Sequence, residues 1–226
     1  MGINFVNNKY RDNLMIKDIK IGKKIKREYQ NIVYDSLEEV YIRWYLDELL
    51  EAGIIRDVVY QPETILLSDP KKYWWEEELK TKSNQKSTKF LEGSTYTYDF
   101  EWQWDDKYHN IFAMDIDHPP SFKKGEKKPY FLTQCFLTQW ACSSIDVKGK
   151  FANRGSNLRE FEAKRKWLYQ KTGVFVQKII PEKLFEATFT PSRYLFCDKM
   201  IKKLRTIHFE AKTLDLFLNR KQENTH

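Results

Sequence analysis

The stretch Ser144-Ile145-Asp146-Val147-Lys148-Gly149-Lys150 decides how the rest of the chain is read. Ile145 and Val147 are β-branched and apolar, and Asp146 and Lys148 alternate with them. Side chains on a strand alternate between faces. A strand here sends Asp146 and Lys148 out of one side of a sheet and puts Ile145 and Val147 into the core on the other. Gly149 then frees the backbone to turn. An acid and a base two residues apart on one strand face suit metal-assisted phosphodiester hydrolysis. The carboxylate holds a hard cation, and the ammonium holds a nucleophilic water or the scissile phosphate. Taken alone, Asp-x-Lys more often marks a surface strand with one solvated Asp and one solvated Lys. Its neighbours along the chain decide between the two.

Upstream, Asp35 to Ala52 reads as a helix. Ser36 is a good N-cap with Glu39 three residues later, and Gly53 stands where a left-handed cap ends it. Ile42, Leu46, Leu49 and Leu50 follow helical spacing and mark the buried face. Glu39 has two readings: it completes the capping box with Ser36, or it reaches over the sheet as an acid of the site. Residues 54–67 read as extended, with Gln61-Pro62 at a strand edge or between two strands. Residues 69–95 read as an insertion with a helical start and a loose tail, in which Trp74-Trp75 pack the insertion onto the body or stack on bases. Thr95 to Trp104 alternates strictly, so Tyr96, Tyr98, Phe100, Trp102 and Trp104 share one face while Asp99 projects from the other.

Residues 105–130 form a second insertion. It holds Asp115, Asp117 and His118, a metal-site candidate without an obvious fourth ligand, and the basic run Lys123-Lys124-Gly125-Glu126-Lys127-Lys128. Residues 130–141 read as a strand leading towards Asp146. Asn157 to Thr172 is a second helix mixing apolar and basic stripes, capped by Gly173. Val174 to Ile180 is a strand stopped by Pro181, and two helical pieces follow, around Tyr194 to Arg205 and Thr213 to Arg220. The basic N-terminal residues 1–31, with Lys17, Lys20, Lys23, Lys24, Lys26 and Arg27, read as a solvated lead-in or a small hairpin that touches nucleic acid.

The chain has 226 residues, 41% hydrophobic and 15% aromatic, which suffices for one domain with a sizeable core and excludes a fully disordered chain. A net charge of +7 suits a polyanionic partner without demanding one. Cys135, Cys142 and Cys197 lack zinc-ligand spacing and read as free thiols of a reducing cytosol. There is no long apolar run and no signal-peptide core. The expectation is a cytoplasmic protein without a membrane partner.

In order, these pieces resemble the PD-(D/E)xK nuclease superfamily. They are most similar to a small group of phage and prophage proteins related to Holliday junction resolvases. The matching residues are Asp35-Ser36-Leu37-Glu38-Glu39, Ala52-Gly53-x-Ile55, Gln61-Pro62, Tyr98-Asp99-Phe100, Asp146-Val147-Lys148-Gly149, Lys164-Arg165-Lys166 and Gly173. They cover residues 34–68, 95–102 and 143–181. Two departures stand out. About forty-five residues separate Asp99 from Asp146, and Ser144-Ile145 stand where relatives often carry another acid.

The resemblance implies an α/β fold with a mixed β-sheet flanked by helices, a restriction-endonuclease-like core over about residues 34–181. Insertions and a helical C-terminal extension, residues 182–226, complete a single domain. It implies that Asp99, Asp146, the Val147 carbonyl and Glu39 hold Mg²⁺ or Mn²⁺. Lys148 would orient or help deprotonate the attacking water, and Lys164, Arg165 and Lys150 would contact phosphate. The implied activity is a metal-dependent endonuclease on DNA, including branched or recombination intermediates, acting as a homodimer in the cytoplasm (the host's, if phage-encoded). RNA remains an alternative substrate. The competing reading is a non-catalytic nucleic-acid-binding or virion-assembly protein that keeps the nuclease fold.

Overall fold

Ser36 sets the start of the first helix. Its extended backbone, φ −142° and ψ 165°, lets Oγ accept the Glu39 N–H at 3.2 Å. Helix α1 (Leu37–Glu51) follows. It ends at Gly53, whose φ of +68° lets its N–H reach the Leu50 carbonyl and that of Ile54 reach Leu49, a left-handed cap of the kind glycine permits. The computed structural model describes residues 16–119, 121, 123, 130–136, 140–149, 156–198 and 203–223.

Before α1 lies an antiparallel meander of β1 (Lys17–Ile21), β2 (Lys24–Tyr29) and β3 (Ile32–Tyr34). The basic N-terminal run from Lys17 onward is therefore ordered into strands rather than a solvated lead-in. Gly22, at φ +61°, supplies the turn between β1 and β2.

After α1 come β4 (Ile55–Tyr60), β5 (Ile65–Ser68), β6 (Lys71–Leu79), β7 (Lys82–Leu91), β8 (Ser94–Tyr96) and β9 (Phe100–Trp104). Then follow α2 (His109–Phe112), β10 (Ala113–Asp115), β11 (Leu132–Phe136), β12 (Ala141–Val147), α3 (Ser156–Thr172) and β13 (Val176–Ile179). The chain closes with α4 (Pro181–Ala187), a 3-10 turn (Ser192–Leu195) and α5 (Leu214–Glu223).

The main sheet runs β10-β11-β12-β9-β4, and β13 also pairs β12. Strand β12 is antiparallel to β9 and β11 and parallel to β13, so the sheet is mixed. The α/β class with a mixed sheet flanked by helices is what the sequence leads one to expect. All seven residues of β12 are buried. That excludes a solvated surface strand, and the small and apolar run Ala141-Cys142-Ser143-Ser144-Ile145 suits a strand covered on both faces.

One face of the sheet packs Ile145, Val147, Phe100, Trp102 and Trp104 into the core that α1 covers. The other face lies in a second cluster of Tyr96, Tyr98, Phe161, Leu168, Val174 and Val176, with α3 supplying Phe161 and Leu168. The expected single aromatic face of residues 95–104 is thus divided between two cores. The strand is broken at residues 97–99, where the chain leaves the β5–β8 pair and joins β9 to the main sheet.

Four further differences have local causes. The insertion at 69–95 contains no helix: β6 and β7 form an antiparallel hairpin in which Tyr73-Trp74-Trp75, strong strand formers, outweigh the helix preference of Glu76-Glu77-Glu78. Leu50 is exposed, while Tyr41, Trp44 and Tyr45 are buried, because α4 and the 3-10 turn cover α1 on a second side. Pro181 begins α4 at its first turn, where a missing N–H costs nothing. The helix expected around Tyr194 to Arg205 shortens to the 3-10 turn and an isolated bridge, Phe196 to Leu204. Aromatic stacking ties this C-terminal part to α1: Tyr45 lies on Phe189 with ring centroids 4.3 Å apart, and Tyr41 meets Tyr194 edge-on at 4.9 Å.

Candidate active site

Strand register brings the two aspartates together. In the β9–β12 pair Phe100 faces Ile145 and Glu101 faces Ser144, and Asp99, just before β9, gives its N–H to the Ile145 carbonyl at 3.0 Å, close enough for the Asp146 charge to act on its carboxyl. Asp146 is 5% exposed. Its Oδ1 receives Lys148 Nζ at 2.5 Å, and its Oδ2 receives the Tyr96 hydroxyl at 2.9 Å. The Asp99 carboxylate turns towards the β12 backbone and accepts the Val147 N–H at 2.6 Å. Burial, then the charges of Asp146 and Glu39, push the Asp99 carboxyl up to about 8, and Lys148 offsets only part of this.

Glu39 comes from the start of α1, on the other side of the sheet. Its carboxylate takes three donors: Ser36 Oγ at 2.6 Å, the Tyr60 hydroxyl at 2.7 Å and the Asp35 N–H at 3.0 Å. The cap reading of Glu39 therefore holds, with the difference that the backbone donor is Asp35 rather than Ser36. Burial raises its carboxyl above the usual range, against the pull of these donors. Its charge adds to the rise of the Asp99 carboxyl.

A cleft of about 320 Å³ opens beside Asp146. Asp146, Lys148 and Tyr96 form one wall, Lys178 of β13 another, and Glu160 and Lys164 of α3 a third. Lys178 faces Asp146 across the parallel β12–β13 pair. Lys164 is held by Glu160 at 2.8 Å, one helical turn away. Arg165 does not line this cleft. It lies over the rings of Phe161 and Phe175, at 5.5 and 5.1 Å, and is paired with Glu162. Lys150 lies outside the described residues.

Sequence reasoning missed Lys178, Tyr96, Tyr60, Glu38 and Glu101. Lys178 carries the same signal as Lys148: it alternates with Ile179, which enters the α1 core, and so shares the site face with Val176. Glu101 sits directly opposite Ser144 and accepts its hydroxyl at 3.2 Å, so an acid does stand next to that position, supplied by the neighbouring strand. The Glu38 carboxylate packs against Gly149, where an added Cβ would meet Oε1 at 2.9 Å. Gly149 thus keeps a close approach to α1 rather than a left-handed turn, since its φ is not positive.

The donor set suits a hard divalent cation. Asp99, Asp146 and Glu39 act on one another in a buried space, and burial, then the charges of Asp146 and Glu39, raise the Asp99 carboxyl. Each carboxylate is presently engaged by a protein donor, and among the described residues no three potential ligands are gathered around one point. A cation at Asp146 Oδ1 would compete with the Lys148 ammonium. The second candidate, Asp115, Asp117 and His118, is a self-satisfied turn. Asp115 accepts the Asp117 N–H and His118 Nδ1, both at 2.9 Å, and the hydrogen bond from His118 holds its carboxyl below the usual range. The three cysteines are free thiols. No helix among the described residues is long and apolar enough to cross a membrane. No family model, curated protein or solved structure matches this chain.

Proposed function

We propose that this chain is a metal-dependent endonuclease that hydrolyses phosphodiester bonds in DNA. The observation that carries the reading is the closeness of Asp99 and Asp146, with Lys148 on the latter, beside a cleft that Asp146, Lys148, Lys164 and Lys178 line. The run α1-β4-β9-β12-α3-β13, with β4, β9, β12 and β13 as successive neighbours, supports a core of the PD-(D/E)xK kind. Asp99, Asp146, the Val147 carbonyl and Glu39 would hold Mg²⁺ or Mn²⁺. Such an ion, once bound, acidifies water and neutralises charge on the phosphate.

The remaining work falls to the side chains. Lys148, released from Asp146, would orient the attacking water or the phosphate through its ammonium hydrogens. Tyr96 keeps Asp146 in one rotamer through Oδ2. Lys164 and Lys178 bind the phosphates on either side of the scissile bond, and the walls of Leu158 and Phe161 limit bulk water. The test is a cleavage assay with Mg²⁺ or Mn²⁺ on single-stranded, duplex and four-way-junction DNA and on RNA. Cleavage of DNA that stops with EDTA supports the reading, and no cleavage of any DNA overturns it. Action on branched DNA and as a homodimer belongs to the same proposal.

One observation favours the second reading, a nucleic-acid-binding or virion-assembly protein on a nuclease core: every acid of the cluster already has a protein partner. Salt-sensitive binding with no cleavage under either metal is its signature.

A further inference from the structure

The β6–β7 hairpin has no role in the site. Its two strands pair only with each other among the described residues, over nine registered pairs, about 30 Å of ribbon. An isolated two-stranded ribbon is marginal in water, and this one leaves large aromatics uncovered. Tyr73 and Trp74 are each 58% exposed and Phe90 is 76% exposed.

The aromatics and lysines follow a pattern. Tyr73 and Trp75 share one face, stacked with ring centroids 5.3 Å apart, and Lys86 stands opposite Trp75. Trp74 is on the other face with Lys72, whose Nζ lies 6.0 Å from the ring, and Lys89 stands opposite Lys72. The partners across from Tyr73 and Trp74 are Thr88 and Ser87, too short to cover the rings. Six lysines against three glutamates give residues 71–91 a charge of +3 out of the chain's +7. Rings beside ammonium groups, on a net positive ribbon, complement a strand of unpaired bases joined by phosphates. Duplex DNA offers no such match, because its base faces are already stacked.

We infer that the β6–β7 ribbon is an arm that captures single-stranded nucleic acid on its Trp74 face, with a base stacking on Trp74 and phosphates meeting Lys72 and Lys89, the latter now held by Glu92 at 3.0 Å. This rests on nucleic acid being the partner of the cleft. It narrows the substrate to DNA carrying an unpaired segment, such as a fork, flap or open junction.

The test is fluorescence polarisation of the full chain with labelled oligo-dT and with a labelled duplex, in EDTA so that nothing is cut. Trp74→Ala should weaken oligo-dT binding about tenfold or more and Trp74→Phe much less, because a ring still stacks. Duplex affinity should change less than about twofold in both. Circular dichroism checks that each variant is folded. Oligo-dT affinity that ignores Trp74→Ala, or a wild type that does not bind oligo-dT, overturns the inference. So does a change in the mass of the nucleic-acid-free protein on Trp74→Ala, which would assign the face to a second copy of the chain. Trp74-dependent capture in a protein that cuts nothing supports the arm and sinks the nuclease reading. Cleavage in a protein whose capture ignores Trp74 does the reverse.

Discussion

Asp99 accepts the backbone N–H of Val147 through Oδ2 at 2.6 Å. In a regular antiparallel ladder that N–H would go to a main-chain carbonyl. Here β9 has not yet begun, and the Asp99 carbonyl is taken by Gln61 N–H at 2.8 Å. The carboxylate thus mends the sheet just before β9 begins. Asp99→Ala would leave a buried N–H unpaired, at a cost of about 1–3 kcal/mol, whereas Asp99→Asn keeps an acceptor and removes only charge.

The metal-free protein should lose stability as pH rises. Asp99 releases its proton near 3.8 when unexposed to the fold's influence and at about 8 in the fold. Between those values the folded chain holds a proton that the unfolded chain has lost, so the contribution of this proton is present below the lower value and gone above the higher one. Thermal melts in EDTA should show a declining midpoint across that window, and Asp99→Asn should flatten it. Added Mg²⁺ should raise the midpoint most at the alkaline end. A wild-type midpoint that is level with pH would contradict the charge crowding at Asp99.

Asp146→Asn should abolish cleavage, by about a thousandfold or more, with the fold intact. The amide oxygen can still accept the Tyr96 hydroxyl, but the charge is gone. Single-turnover kinetics beside a melt separate the two effects.

Lys148→Ala should bind Mg²⁺ at least as tightly as the wild type, because it removes the ammonium that occupies Asp146 Oδ1. Turnover should nevertheless fall, by about a hundredfold if Lys148 acts on water or phosphate. Calorimetric titration of Mg²⁺ together with cleavage rates decides this, and weaker Mg²⁺ binding would speak against the arrangement.

Glu39→Gln should cost both stability and activity. Its carboxylate accepts three donors, and a glutamine amide nitrogen would meet at least one of them donor to donor. The expected loss is about 1–3 kcal/mol in denaturant unfolding. Cleavage should drop about a hundredfold on top of that if the charge serves the ion. Full Mg²⁺-dependent cleavage in this variant would leave Glu39 as a helix cap alone.

Neutralising Lys164 and Lys178 should lower affinity for DNA, and each should reduce the salt slope by about one counterion. Arg165→Ala should act differently. Its guanidinium is half-buried against the rings of Phe161 and Phe175 and paired with Glu162, so the variant should lose stability while the salt slope stays as it was.

What could be read from the sequence was local. The Ser36 cap, the Gly53 and Gly173 endings and the alternation through Asp146 depend on neighbours within a few residues, and all are found where expected. What escaped depends on distant pairing. Nothing near Trp74 announces its strand partner Ser87, so three glutamates were free to suggest a helix. A period of two cannot reveal a break at residues 97–99, so Tyr96 read as core when its hydroxyl belongs to Asp146. Lys178 becomes part of the cleft only through the parallel register of β13 on β12.

The stacking of Tyr41 and Tyr45 on Tyr194, Phe185 and Phe189 bears on where this chain can be cut. A gene shortened after Ile180 would keep every acid and lysine of the cleft. It would also uncover the back of α1, a strip of tyrosine, tryptophan and leucine with nothing to lie on. Such a fragment should accumulate as insoluble protein in an expression host, and a solubilising partner fused to its end would restore yield without restoring the missing layer. Limited digestion of the intact chain should accordingly spare the α1 to α4 junction and nick the β6–β7 ribbon first.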